Sequence, residues 1–252
     1  MQQSKLIQSI IKASQILDFL SSNGECNLSS MSRELDIPKS TTLRLLSTLI
    51  FVGYIEQNPN THNYSISRKF VEVGLRVIER YDFMHVSRPY MLELAEKTGE
   101  TVNLGVLDGS EVVCLDQVSS KHSLRNDQPI GSRVSAHCTS MGKSMLANLD
   151  DHEIEKLFQK KKLDKFTPNT LSNLRELKKE IKTIRSIGYA IDNEEAVQGV
   201  RCVGAAIVNN LGRPVAALSV AGPSVRMTEI TTKKFGPIVK NTTTIISQIL
   251  AN

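Results

Sequence analysis

In mid-chain, His137-Cys138-Thr139-Ser140-Met141-Gly142-Lys143-Ser144 gathers an imidazole, a thiol, hydroxyls, a glycine and a lysine. Four kinds of chemistry use such groups: phosphate cradling, thiol attack, metal ligation and non-covalent ligand binding. A phosphate loop needs glycine where His137 stands, because its backbone must approach the phosphates closely, and no apolar parallel strand leads into it. That chemistry is excluded. A Cys138 nucleophile with His137 as its base is disfavoured, since neighbours in an extended segment point to different sides. Asp192 can orient a histidine, yet nothing supplies an acid for the leaving group. His137, Cys138, Asp192 and Cys202 match no familiar metal-ligand spacing, and His152-Glu153 lacks the second histidine of a zinc-protease helix because residue 156 is lysine. No metal or other cofactor is expected. A thiol- or metal-dependent hydrolase, or a metal or redox sensor using Cys138 and Cys202, stands as the alternative to a site that only binds.

The binding reading rests on position. "GSRVSAH" is extended and "TSMGKSMLANL" is helical, so Ser140, Met141 and Gly142 open a helix whose first amides attract a carboxylate or phosphate. Two later strands supply a wall of small residues: Cys202, Gly204 and Ala206 share one face, and Ala217, Ser219 and Ala221 share another. Such residues either leave room for a ligand or let a helix pack closely. Asp192 is either a hydrogen-bond acceptor for a ligand hydroxyl or a solvated loop carboxylate.

These groups need elements to hold them. Leu6, Ile10, Ala13, Leu17 and Leu20 recur at helical spacing and stop at Asn23-Gly24. A second helix follows, with Ser29 as its cap and Met31 and Leu35 on its apolar side. Asp36-Ile37-Pro38 makes a tight break, and a third helix over about 39–51 points Leu43, Leu46 and Ile50 inward. "YIEQ" and "NYSIS", joined by Asn58-Pro59-Asn60-Thr61, form a hairpin. Three helices and a hairpin within about 65 residues give the winged helix-turn-helix plan. Residues from Arg68 to about Lys97 continue as helix. Beyond them "TVNLGVLDGSEVVCLDQV" is a hairpin at Asp108-Gly109. Helices are predicted over 139–149, 152–159 and 172–187, then strands "GYAIDN", "VRCVGAAIVN" and "PVAALSVAG", and a last helix over about 227–250. Without regular βαβ alternation, this predicts an α+β fold with a mainly antiparallel sheet.

The third helix is a candidate DNA reader. Its start, "PKSTTLR", carries two cations, no acid and several hydroxyls. Lys39, Ser40, Thr41 and Thr42 suit phosphate anchoring, and Arg44 can fork onto guanine O6 and N7. His62 and Asn63 at the hairpin tip would lie along the backbone or minor groove. Charge alone is indifferent, since residues 1–80 hold nine Lys/Arg against seven Asp/Glu. Helix order, the proline-started helix and the wing carry the reading. A rival basic run from Lys156 to Arg185, including Lys160-Lys161-Lys162, holds ten basic residues against three acids. It lacks interleaved aromatic platforms and reads as a solvated helical surface.

At 252 residues, 40% hydrophobic and 23% charged, the chain has the composition of two ordinary globular domains, and a net charge of +5 permits a nucleic-acid partner without demanding one. No run of about 18 apolar residues suggests a membrane span. The N-terminal "MQQSKLIQSIIKASQ" is too polar for a signal peptide. The four cysteines, Cys26, Cys114, Cys138 and Cys202, include no Cys-x2-Cys pair and read as reduced thiols of a cytoplasmic protein.

Taken in order, "LSSMSRELDIPKSTTLRLLSTLIFVGYIEQ", "GSRVSAHCTSMGKSMLA" and "GYAIDNEEAVQGVRCVGAAIVNNLGRPVAALSVAGP" resemble the IclR-type bacterial transcriptional regulators, and the resemblance covers essentially the whole chain. It implies a winged helix-turn-helix over 1–67, a linker helix over 68–82 and a GAF-like effector-binding domain over 83–252. It further implies dimers that pair into tetramers, palindromic operators, and small effectors such as carboxylic, keto or aromatic acids. By position, the effector contacts would be Ser140, Met141, Asp192, Cys202 and Ser219. Val134, Cys138 and Val200 would complete the apolar lining, with Ser123 and Asn126 on a lid segment. Several members carry Gly-Ala where this chain has Ser140-Met141, and apolar residues where it has Ser123 and Asn126.

Overall fold

The structure is a computed structural model, and it describes residues 6–78, 82–159 and 163–251. The chain divides into two compact units, Met1–Arg80 and Tyr81–Asn252.

The first unit contains α1 (Gln8–Asn23), α2 (Leu28–Glu34), α3 (Lys39–Phe51), a hairpin of β1 (Ile55–Gln57) and β2 (Tyr64–Ile66), and α4 (Lys69–Ile78). Its core is Ile16, Leu20, Met31, Ile37, Leu46, Leu49, Ile55 and Tyr64. The predicted elements form, with differences in phase. The second half of α1 supplies the core; Leu6 precedes the helix, and Ile10 in its first turns stands exposed. Asn27, not Ser29, caps α2, its Oδ1 accepting from Ser30 N at 2.9 Å. On α3 the inward positions are Thr42, Leu46 and Leu49, while Leu43 and Ile50 face solvent. A hydroxyl can take an inward position on a helix when it finds a carbonyl. Thr42 Oγ1 donates to the carbonyls of Ile37 and Pro38, each at 3.2 Å. The start of α4 is fastened to this unit: Lys69 Nζ donates to Val52 O at 2.6 Å and sits over the Tyr54 ring, beside which Phe70 packs.

The second unit begins with α5 (Asp82–Thr98) and carries a six-stranded antiparallel sheet. Its strands are β3 (Thr101–Asp108), β4 (Glu111–Val118), β5 (Arg133–Ser135), β6 (Ala190–Asn193), β7 (Val200–Val208) and β8 (Pro214–Pro223), in the order β5-β4-β3-β8-β7-β6. Residues 79–81 of the expected linker helix lie outside the described residues. Alternation sorts each strand between two layers. Val102, Leu104, Val203, Ala205, Ile207, Leu218 and Val220 pack with α5 and with α9 (Glu229–Leu250). The opposite face meets α6 (Ser140–Leu146), backed by α7 (Asp151–Phe158) and α8 (Leu174–Ile187) through Met141, Met145, Leu146, Ile154, Leu177 and Ile181. Among the described residues no helix is long and apolar enough to cross a membrane.

Candidate functional site

The first candidate surface is α3. Pro38 fixes its start, so Lys39, Ser40 and Arg44 project into solvent, with Thr41 half-buried. Thr42 is a correction: it is fully buried and its hydroxyl is bonded to the preceding turn, so it does not belong to the reading face. Its place outside is taken by Leu43, 46% exposed, which suits contact with a thymine methyl. The phase error arose because two residues with apolar character, Leu43 and Ile50, flank the true stripe. At the wing, Asn58 Oδ1 accepts from Asn60 N and Thr61 N, which tightens the turn and leaves His62 exposed at φ 59° with Asn63 beside it.

The second candidate is the α6 face of the large sheet. Every residue of α6 is buried. Glycine makes the close approach possible. A Cβ on Gly204 would come 3.0 Å from Ser140, one on Gly105 would press on Met141 Sδ at 3.3 Å, and one on Gly142 would collide with Ala136. At Gly204 and Gly105 the small residues therefore serve helix packing. The row Thr101, Ala221, Cys202 and Asp192, in register across β3, β8, β7 and β6, continues the same face toward the strand ends.

Asp192 is not a solvated loop carboxylate but is 2% exposed. Its Oδ1 accepts from Glu195 N at 2.7 Å, and burial pushes its pKa up to about 7. Cys202 pairs with it in register, and burial followed by the Asp192 charge raises that thiol well above its usual range. Ser140, Met141, Cys138 and Ser219 are buried on the same face, and Val200 begins β7 two residues before Cys202. Val134 lies at the opposite edge, on β5 against Val112. Ser123 is exposed and Asn126 half-buried in the segment after β4. That segment is tied down where Ser120 N donates to Thr101 Oγ1 at 3.1 Å and Arg125 pairs with Asp127 at 2.6 Å. Of the three amides expected to open α6, that of Gly142 is taken by Thr139 Oγ1 at 3.3 Å.

The thiol chemistry weighed for the opening motif finds no geometry. His137 turns its Nε2 to Asp164 O at 3.0 Å between Phe158 and Phe166, and its pKa is lowered by burial. Cys138 instead donates to Ser135 O at 3.4 Å, with its pKa pushed up to about 12 by burial and then by the Asp192 and Glu195 charges. A thiol so raised is a poor nucleophile. The basic run falls partly outside the described residues at Lys160, Lys161 and Lys162; within them, Lys178 and Arg185 are paired with Glu155 and Asp151.

Sequence reasoning missed Lys143. It is 1% exposed, pairs with Glu195 Oε1 and lies 3.7 Å from Glu180 Oε1. Glu195 in turn holds the turn that caps Asp192, since its own amide donates there and its carbonyl accepts from Thr170 at 2.6 Å. The available signal was a lone charge in "SMGKSML", a helix with no other polar group long enough to mark a solvent face.

Comparison with known proteins gives this geometry its setting. Residues 9–59 match the IclR helix-turn-helix domain, and residues 75–248 match the bacterial transcriptional regulator IclR C-terminal domain. The chain is 35% identical over 244 residues to the HTH-type transcriptional repressor AllR of Escherichia coli K12, covering 96% of this chain and 90% of that protein. The crystal structure of Thermotoga maritima IclR superposes with a TM-score of 0.79 at 31% identity, covering 97% of this chain and 99% of that one. An IclR homologue from Microbacterium hydrocarbonoxydans, complexed with 4-hydroxybenzoate, shares the fold with a TM-score of 0.81 at 21% identity over 96% of this chain and 98% of its own. These relatives are regulators rather than enzymes, which removes the hydrolase alternative. The two domain matches together span nearly the whole sequence, and the chain belongs to the IclR family of bacterial transcriptional regulators.

Proposed function

We propose that this regulator is a cytoplasmic repressor that binds palindromic operator DNA as a dimer or a dimer of dimers. A small organic acid held on the α6 face of the sheet changes its operator affinity. Lys39, Ser40, Thr41 and Arg44 meet the major groove, and His62 and Asn63 follow the backbone. The effector lies among Ser140, Met141, Asp192, Cys202 and Ser219, with Cys138, Val134 and Val200 as lining and Ser123 and Asn126 on the segment above. Repression follows the names of the relatives, AllR among them.

The observation that carries the effector half is the concentration of buried polar groups on one sheet face. A purely structural layer is normally apolar, and buried polar groups are kept where they meet a partner. Burial raises the Asp192 pKa to about 7, so its protonated form is within reach near neutrality and can donate a hydrogen bond to an anionic ligand that the ionised form would repel. Self-association is favoured by α4, whose Val71, Val73, Leu75 and Val77 are 41–61% exposed, an apolar patch of the kind that marks an interface. Coupling needs only that the acid bind one arrangement of the assembly better than another.

The test is capture of genomic fragments by the purified protein, followed by fluorescence anisotropy of the enriched sequence with and without organic acids. An inverted repeat should emerge, and one class of acid should change its affinity. Enrichment of sequences without symmetry, or indifference to every acid, would sink the respective half.

A further inference from the structure

On β3, Val102 and Leu104 face α5 and α9, so Asn103 between them faces α6. It is 1% exposed, and its Oδ1 is buried with no hydrogen-bond partner. Two of its polar neighbours are engaged elsewhere. Gln117, opposite it on β4, donates from Nε2 to Asp127 at 2.7 Å and to Ser119 at 3.2 Å. Thr101, two residues before it, donates to Asp127 and accepts from Ser120 N. On its other side Asn103 stands in register with Ser219, one of the residues assigned above to the effector. Native proteins seldom keep a buried amide unmatched unless something else completes it.

We propose that Asn103 is a ligand-recognising residue of this face, and that the effector is a hydroxy acid whose hydroxyl meets the Asn103 amide. The inference rests on the assignment of the α6 face as the effector site. A hydroxyl fits either end of the amide, as donor to Oδ1 or as acceptor from Nδ2, whereas a ketone oxygen only accepts and leaves Oδ1 unmatched. A site built around such a bond discriminates against the analogue that lacks the hydrogen. Ser219, its cross-strand neighbour, adds a hydroxyl within the same patch.

Matched acids separate the possibilities in calorimetric titrations of the full-length protein. The series is lactate and pyruvate, malate and oxaloacetate, and mandelate and phenylglyoxylate. The hydroxy member of at least one pair should bind about tenfold tighter than its keto partner. Asn103→Leu, which keeps the volume and removes the amide, should erase that preference without lowering the melting temperature of the free protein. Asn103→Ala serves the same purpose should the leucine variant not fold. Keto acids that bind as tightly as hydroxy acids, or a preference that survives in both variants, would overturn the role of Asn103 while leaving the effector site standing. Failure of every acid to bind would overturn the site assignment and this inference with it.

Discussion

In the N-terminal unit the polar side chains assigned to function, Lys39, Ser40 and Arg44, stand in solvent on α3. In the C-terminal unit Asn103, Lys143, Asp192 and Ser219 are at most 3% exposed. The contrast matches the two partners proposed for these units. A duplex brings its own phosphates and base edges to an exposed helix, so the protein groups stay hydrated until contact. A small molecule must be surrounded, so the groups that recognise it are desolvated before it arrives. The first kind of residue should therefore matter to binding and little to stability. The second should matter to stability even without ligand where its members hold one another, as Lys143 and Asp192 are held by Glu195. Asn103, whose Oδ1 has no partner among the described residues, is the exception.

Lys143 gives the contrast its largest expected effect. Lys143→Met leaves Glu195 buried without its cation and should destabilise the folded protein by about 3–5 kcal/mol, seen as a lowered midpoint in urea. Adding Glu195→Leu should recover much of that loss, because a pair removed together leaves no orphaned charge. Lys39→Met, equally a lysine but exposed, should stay within about 0.5 kcal/mol. Equal losses from the two lysines would erase the distinction.

Asp192 comes next, with an effect on the order of a few kcal/mol that depends on pH. Its folded pKa of about 7 lies above the ordinary carboxylate value, so the folded chain binds this proton more tightly than the unfolded chain. The stabilising contribution is complete below about pH 4 and is lost as pH rises through about 7. Asp192→Asn should match the wild type in acid and become the more stable of the two at neutral pH. Thermal unfolding from pH 4 to 8 measures this directly, and parallel profiles would contradict the burial argument. On the other side of the comparison, Arg44→Ala should cost about 1–3 kcal/mol of operator affinity with the melting temperature unmoved. An anisotropy titration that shows full affinity would remove Arg44 from the reading face.

Much of this was legible in the sequence, for physical reasons that differ by region. The hairpins announced themselves through alternation and Gly109, whose φ of 60° the tight turn demands. Cys202, Gly204 and Ala206 were assigned to one face correctly because strand periodicity is strict. What a face meets is not a property of its strand. Gly204 turned out to admit a helix, while Asn103, on the same face, looked like any polar residue in a half-buried strand. The Lys143–Glu195 pair joins residues 52 apart, beyond any local pattern. On α3 Leu46 faces inward as its spacing predicts, but its companions are Thr42 and Leu49 instead of Leu43 and Ile50, a shift hidden because Leu43 and Ile50 are apolar and Thr42 is not.

Thr42 provides the smallest effect and the finest test of the contrast, because it sits in the exposed unit yet behaves as a residue of the buried kind. Were it a DNA contact, Thr42→Val would weaken operator binding and leave folding alone. Its hydroxyl is instead bonded to the carbonyls of Ile37 and Pro38 at the entry to α3, so the valine variant should lose about 1 kcal/mol of stability. Operator affinity, measured well below the melting temperature, should hold within about twofold, as a loss of that size leaves nearly all molecules folded. Thr42→Ser keeps the hydroxyl and should recover part of the stability. The pattern depends on which way one side chain turns on a helix whose other face is proposed to read DNA, so a threonine that behaves like Arg44 would return it to that face and shift the inward stripe of α3 with it.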